Sequence, residues 1–472
     1  MTSLRGRLLA AAFLLALFAI GVGAGPLMAI VALAGLIVIA VIWIWPHAGL
    51  IGMILTGVGI PMLASSSTTI PVSITQILAM ITLISYVHWA VLNRQQPTYA
   101  PHMWALIVFG GVVVISVFLA PDKAQSLIGA SIYIRALLFA GITAFLGTSW
   151  RSVTMIVLAL TAAATLSSTL GVAEFAVPGF HIPADDDEQY QRTGSAVSTF
   201  SLEENTTLQR VSGGTGNYNW LAYTIALVMP LNLFWWRRSS GLFQQAIVLL
   251  ITAVQLAALV LTYTRSGFIG LGAAAIYLII RKRLSAWLPI GFVAIGLLTL
   301  PVWAPDRFAE RMLSGEYLRQ GTSTIRRDFI ANGFNMATEK WLFGHGYGQF
   351  GPYFLAHSKS QYVPLMQDEI DKGSGSPNEI RPHNLYIDLV VDYGLVGLLS
   401  FGLIIAMLFH DLRTVERYGS SDKTELSVVL QASLISFCIC GLFGHITIMR
   451  LPWVVVGLIA ALRRAAIEDA NR

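Results

Sequence analysis

A chain of 472 residues that is 55% hydrophobic and only 12% charged is too apolar for a water-soluble enzyme. Long apolar runs recur along nearly all of it, which points to a polytopic helical membrane protein. The net charge of +5 requires no nucleic-acid partner, because the basic residues cluster in short loops between those runs.

In chain order the apolar runs predict spans near 8–24, 27–45, 49–63, 72–92, 103–119, 129–146, 153–172, 218–236, 243–263, 267–280, 286–303, 385–409, 425–448 and 452–462. Several are short, and 49–63, 267–280 and 452–462 read as tilted, broken or re-entrant. The expectation is about 12 transmembrane helices, within a range of roughly 10 to 14. The start resembles a signal peptide, with Arg5 and Arg7 before an apolar core. A second apolar run begins at Leu27, so an uncleaved first helix is expected. With the N-terminus in the cytoplasm, Arg94, Arg151, Arg237, Arg238, Arg281, Lys282, Arg283, Arg413, Arg417, Lys423, Arg463 and Arg464 all fall inside. Both termini are then cytoplasmic.

This divides the chain into transmembrane helices over 1–172, an outward loop over 173–217, and central spans over 218–303. An outward domain over 304–384 and C-terminal spans over 385–472 complete it. The loop carries Asp185-Asp186-Asp187-Glu188, which reads as solvated more readily than as a cation site. In the outward domain, Ile325, Phe329, Phe334, Ala337 and Trp341 recur with the spacing of an amphipathic helix lying on the membrane surface. Cys438 and Cys440 stand two apart in an apolar run, on different helix faces, so no disulfide is expected. No Cys/His cluster has metal-ligand spacing, and no internal repeat suggests a transporter built from inverted halves.

Chemistry gathers on the outward side. In Arg381-Pro-His-Asn-Leu-Tyr, Pro382 suits the first turn of a helix, which places His383 at a helix N-terminus. The positive end of the helix dipole would keep that imidazole neutral and able to accept a proton from a hydroxyl. The plainer reading is an interfacial His without chemistry. Arg265, in TYTRSG between two apolar runs, is costly there unless it faces a polar cavity, a counter-ion or an anionic ligand. Arg210, Arg326, Arg327 and Arg381 approach the same boundary. Arginine binds phosphate oxygens in a planar fork, so the group suggests a membrane-embedded diphosphate, with solvated arginines as the alternative. Asp388 and Asp392 could each orient an arginine or the His. The alternating glycines of Gly344-His-Gly-Tyr-Gly348 lack the flanking strand of a dinucleotide site. They read as a tight turn offering N–H groups to an anion.

Together, RVSGGTGNYN, TRSG, an arginine about 18 residues before GHGYG, and HNLYIDLVVDYGLVGL resemble the O-antigen ligase and polymerase superfamily over roughly 200–400. The ligase is the favoured member. The resemblance implies a GT-C-like glycosyltransferase of the bacterial (Gram-negative) inner membrane with a periplasmic site. Its donor would be a glycan on undecaprenyl diphosphate and its acceptor a sugar hydroxyl of lipid A–core, with no metal or cofactor. Arg326 fits the family's domain arginine, with Arg327 the alternate. Asp392 stands where the family usually has Glu. On this reading His383 is the base, Arg265 and Arg326 hold the diphosphate, and Arg210, Arg327 and Arg381 are further contacts. Asn384, Asp388 and Asp392 support them. A single displacement would invert the anomeric centre. A polymerase or a protein O-oligosaccharyltransferase would share the donor, and a flippase of the same lipid is the reading from another class.

Overall fold

The computed structural model describes residues 26–59, 73–92, 100–180, 210–287, 291, 322–372, 376–446 and 449–470. The fold is all-α, with helices and no strand among the described residues. The N-terminal helices are α1 (Pro26–Ile44), α2 (Pro46–Ile54, continued by a π turn to Gly59), α3 (Ile74–Leu92), α4 (Pro101–Leu119), α5 (Lys123–Leu146) and α6 (Trp150–Ala176). The middle of the chain forms α7 (Tyr218–Val228), α8 (Pro230–Arg238), α9 (Leu242–Leu261) and α10 (Arg265–Ile280). Then come α11 (Thr322–Glu339), α12 (Phe350–His357), α13 (Val363–Asp371), α14 (Leu385–Tyr418), α15 (Ser421–Cys440) and α16 (Leu451–Ala470).

Seven of these are long and apolar enough to cross a membrane, and α1 with α2 makes an eighth if that bent pair is one span. The pair bends by 119° at Trp45–Pro46, where proline removes a helical donor and breaks the run. The expected spans at 27–45 and 49–63 thus meet at a sharp bend, and residues 60–63 lie outside the described residues. The expected spans at 8–24 and, beyond its first residues, 286–303 lie outside the described residues, as does Asp185–Glu188.

Six of the basic residues assigned to one side by the charge rule, Arg237, Arg238, Arg281, Arg283, Lys423 and Arg463, pair with acids of α14, α15 and α16. Asp411 holds His102 Nδ1 at 2.6 Å and Arg463 Nε at 3.1 Å. Glu425 takes Arg237 at 3.1 Å and Arg283 at 2.9 Å, and Arg238–Asp422, Arg281–Glu416 and Lys423–Asp469 complete the set. Between the ends the helices approach on small residues. Gly270 of α10 lies on Ser436 and Cys440 of α15, and Gly457 of α16 lies on Ala140 and Thr143 of α5. Both cysteines are free.

The break in α14 organises the other end. Gly394 has φ 70° and ψ −170°, so the helix stops and restarts there. A break orphans carbonyls before it and N–H groups after it. Segment 341–346 satisfies both. His345 N–H donates to Val391 O at 2.8 Å and Gly346 N–H to Asp392 O at 3.0 Å; Leu395 and Val396 donate to Trp341 O and Leu342 O at 2.8 and 3.2 Å. Gly344, at φ 71°, passes so close that an added Cβ would stand 2.6 Å from the Asp392–Gly394 backbone. The GHGYG turn is therefore a splint across a broken helix, and three of the N–H groups expected to face an anion, those of Gly344, His345 and Gly346, are already engaged.

Helices α11 to α13 have a core of their own, Ile325, Phe329, Met336, Phe350, Phe354, Tyr362 and Met366, seated on Ile387 and Val391 of α14. Helix α11 packs Gly333 directly on Ile387. Its buried face is thus turned to protein, while Phe334 and Trp341, expected on that face, remain exposed.

Candidate functional site

Helix α14 starts later than its sequence suggests. Asn384, not a residue before Pro382, is the cap: its Oδ1 accepts the N–H groups of Tyr386 at 3.0 Å and Ile387 at 3.1 Å. Its amide donates to Leu442 O at 2.9 Å, and Leu385 N–H donates to Gly441 O at 2.7 Å. The segment after α15 is therefore tied to the start of α14. Pro382 lies outside the helix, and His383 is held between the two at φ 53°. A left-handed conformation costs a side-chain-bearing residue about 1–2 kcal/mol, so the surrounding contacts must hold it. The imidazole stacks on Phe329, with ring centroids 6.1 Å apart and planes 23° from parallel. Among the described residues no group hydrogen-bonds this half-buried ring. Burial first, then the Arg326 charge, pushes its pKa well below the ordinary His value. The ring is neutral, as expected, but the helix dipole is not the main reason.

The arginines separate into distinct roles. On α11, Arg327 is exposed and donates to its own helix at Thr324, 3.3 Å away, whereas Arg326 is half-buried and acts on both His383 and Tyr223. Arg381 is not available to an anion. It is buried, pairs with Asp392 at 3.0 Å and lies 3.7 Å over the Tyr347 ring. Burial opposes its charge, but the Asp392 carboxylate outweighs that and raises its pKa. Asp392 therefore orients Arg381 rather than His383.

Arg210 is a strut. Its guanidinium donates to Thr262 O at 2.9 Å and Thr264 Oγ1 at 3.1 Å, and it lies 3.1 Å over the Tyr218 ring. This joins the start of RVSGGTGNYN to the residues immediately before Arg265. Glu174 fixes the same loop from α6, accepting the N–H groups of Ser212 at 2.9 Å and Gly213 at 3.1 Å. Thr264 caps α10 by position, so Arg265 opens that helix. Next to it, the Ser266 hydroxyl is 3.1 Å from that of Tyr223, and the Tyr223 ring rests on Gly444. Tyr223 therefore links α7, α10 and the 441–445 segment, within electrostatic reach of Arg326 and Arg210.

Asp388 has a partner that the sequence did not reveal. His445 Nδ1 lies 2.7 Å from its Oδ2, which leaves His445 Nε2 buried with no hydrogen-bond partner among the described residues. A carboxylate on one ring nitrogen fixes the tautomer and aims the other. His445 acts electrostatically on His383, so two imidazoles share the site. Among the described residues no group of three or more metal-ligating side chains forms. The constellation offers two proton acceptors, cations for an anionic leaving group, and the Tyr223 and Ser266 hydroxyls between them.

Residues 246–402, about a third of the chain, match the family model described as O-antigen ligase. A Rickettsia conorii protein named "Putative polysaccharide ligase" is 25% identical over 203 residues, which cover 41% of this chain and 44% of that protein. The family match begins in α9 and runs through Arg265, Arg326, the GHGYG splint and the start of α14. Over these residues the chain is similar to the O-antigen ligase superfamily, and it spans less than half the length of the ligase relative it matches.

Proposed function

We propose that the protein is an O-antigen ligase that moves a glycan from undecaprenyl diphosphate to a sugar hydroxyl of lipid A–core, at a site facing the periplasm of a Gram-negative inner membrane. The observation that carries the reading is His383: a strained, neutral imidazole, unbonded among the described residues, beside the Arg326 cation. A lipid diphosphate already leaves readily, so the protein must chiefly stabilise its growing negative charge. Arg326 and Arg265 do this, with Arg210 holding the loop that presents Arg265. The acceptor hydroxyl loses its proton to His383 Nδ1 or Nε2 as its oxygen forms the new bond to the anomeric carbon. The bond to the diphosphate oxygen breaks on the opposite face, and the configuration inverts. A product with retained configuration would contradict this route.

A second assignment of the base is favoured by one specific observation, the Asp388–His445 pair with its unpartnered Nε2. The two can be separated with His383→Gln and His445→Gln in purified enzyme supplied with both substrates. Loss of a proton acceptor typically costs 10²–10⁴-fold in rate. We expect that loss at His383 and a smaller one, through mispositioning, at His445. The reverse order would transfer the role to His445.

A further inference from the structure

Two other arginines act on each other without a counter-ion among the described residues. Arg450 precedes α16, and Arg135 lies midway along α5. Arg450 crosses Gly57 beside Phe139, one turn after Arg135, and the Arg135 charge acts on it. Neither has a carboxylate partner among the described residues. Arg450 reaches only the Thr75 hydroxyl, at 3.4 Å, and Arg135 only Ser131 of its own helix, at 3.3 and 3.4 Å. At the opposite end of the bundle Arg463 and Lys423 are matched to acids. A largely buried arginine within reach of a second cation is costly unless an anion joins them.

Space for an anion is present on the Arg450 side of the pair. A cavity of about 170 Å³ opens against Arg450, lined by Thr215, Trp220, Thr224 and Met449. Its depth indicates where the anion comes from. Trp453, near the start of α16, packs edge-on against Tyr133, the eleventh residue of α5, at 5.9 Å. At 1.5 Å per residue this is ~15 Å below the α5 N-terminus, inside the apolar layer. The Arg135 side chain doubles back toward Ser131, in the direction of the surface. A lipid-borne phosphate can be drawn to this depth, whereas a free ion would have to leave water. The cavity also borders the main site: Thr224 lines it while Tyr223 faces Ser266 and Gly444, and His445 is on the segment that ends in Arg450.

We propose that Arg450 and Arg135 form a second anion subsite, which holds a phosphate ester of the acceptor lipid as it comes in from the bilayer beside α5. This rests on the ligase reading, in which one base must serve two anionic lipids. The diphosphate of the donor occupies Arg265 and Arg326, and the acceptor needs cations of its own on the other side of α7.

The test uses full-length protein in detergent and native mass spectrometry with three probes: lipid A–core, the same lipid with its phosphates removed, and inorganic phosphate. Arg450→Gln and Arg135→Gln remove uncompensated charge, so both variants are expected to fold, and Arg450→Lys checks for partial rescue. Wild type should hold the phosphorylated lipid roughly tenfold more tightly than the dephosphorylated one, the scale of one charged hydrogen bond. Both Gln variants should lose that preference, raise KM for the acceptor about tenfold and leave KM for the donor unchanged. Phosphate-independent binding, undiminished binding by Arg450→Gln, a rise in donor KM instead, or inorganic phosphate binding as tightly as the lipid would each overturn the proposal. Arg450-dependent lipid binding in a protein that transfers nothing would uphold the subsite and reject the ligase reading. Normal transfer with an unchanged acceptor KM would do the opposite.

Discussion

His383 combines strain, burial and an adjacent cation, and each has a measurable consequence. Glycine adopts φ 53° without penalty. His383→Gly should therefore raise thermal stability by about 1 kcal/mol while abolishing transfer; a loss of stability would mean that the ring is held there for packing. The pKa gives a second test. Because it lies below the ordinary 6.5, the ring remains neutral as pH falls through that value and is protonated only at lower pH. Transfer limited by chemistry should stay flat through pH 6.5 and decline only below it, and an acid limb at 6.5 would assign the proton to another group. On α11, Arg326→Ala should cost roughly 10²–10³-fold in kcat, whereas exposed Arg327→Ala should change little. The sequence could offer both arginines but could not choose, because two adjacent helical residues differ by about 100° in direction and only the packing of Ile325 and Phe329 sets which one turns inward. His445 was not legible at all. It falls inside an apolar run that reads as an uninterrupted span over 425–448, and nothing local shows that α15 ends at Cys440.

The decisive feature among the elements is the splinted break in α14. A substitution of Gly394 or Gly344 by Ala meets both a left-handed φ and a backbone in the way. Each should cost at least about 1–3 kcal/mol, visible as a lower melting temperature in detergent, together with loss of transfer as His383 and Asp388 shift. Retention of both would show that the break is not needed. The buried Arg381–Asp392 pair sits beside it. Arg381→Met or Asp392→Asn alone should lose about 3–5 kcal/mol by stranding a charge, and the double variant should recover much of it. The broken helix was hidden because HNLYIDLVVDYGLVGL has an even apolar periodicity. That stretch holds two glycines, Gly394 and Gly397, and which of them bends the helix is told only by the chain segment that fills the gap. The amphipathic α11 was legible from spacing. Its docking surface was not, since Gly333 gives no periodic signal yet makes the contact with Ile387.

For the molecule as a whole, apolar content predicted an all-α membrane fold, and clustered basic residues predicted one charged end; the ion pairs around Asp411, Glu416 and Glu425 gather there. Such burial patterns are readable from sequence because lipid imposes them uniformly. The approach of Arg326 to Tyr223, and of Arg326 and His445 to His383, is tertiary, and separations of more than fifty residues leave no local trace. The most direct test of the account uses cells carrying wild type or His383→Ala at equal membrane levels, with lipopolysaccharide separated on a gel. We expect the ladder to vanish, leaving lipid A–core alone while polymerised glycan accumulates on its lipid carrier. Core bearing a single repeat would identify a polymerase instead, and an unchanged ladder would contradict the central role of His383.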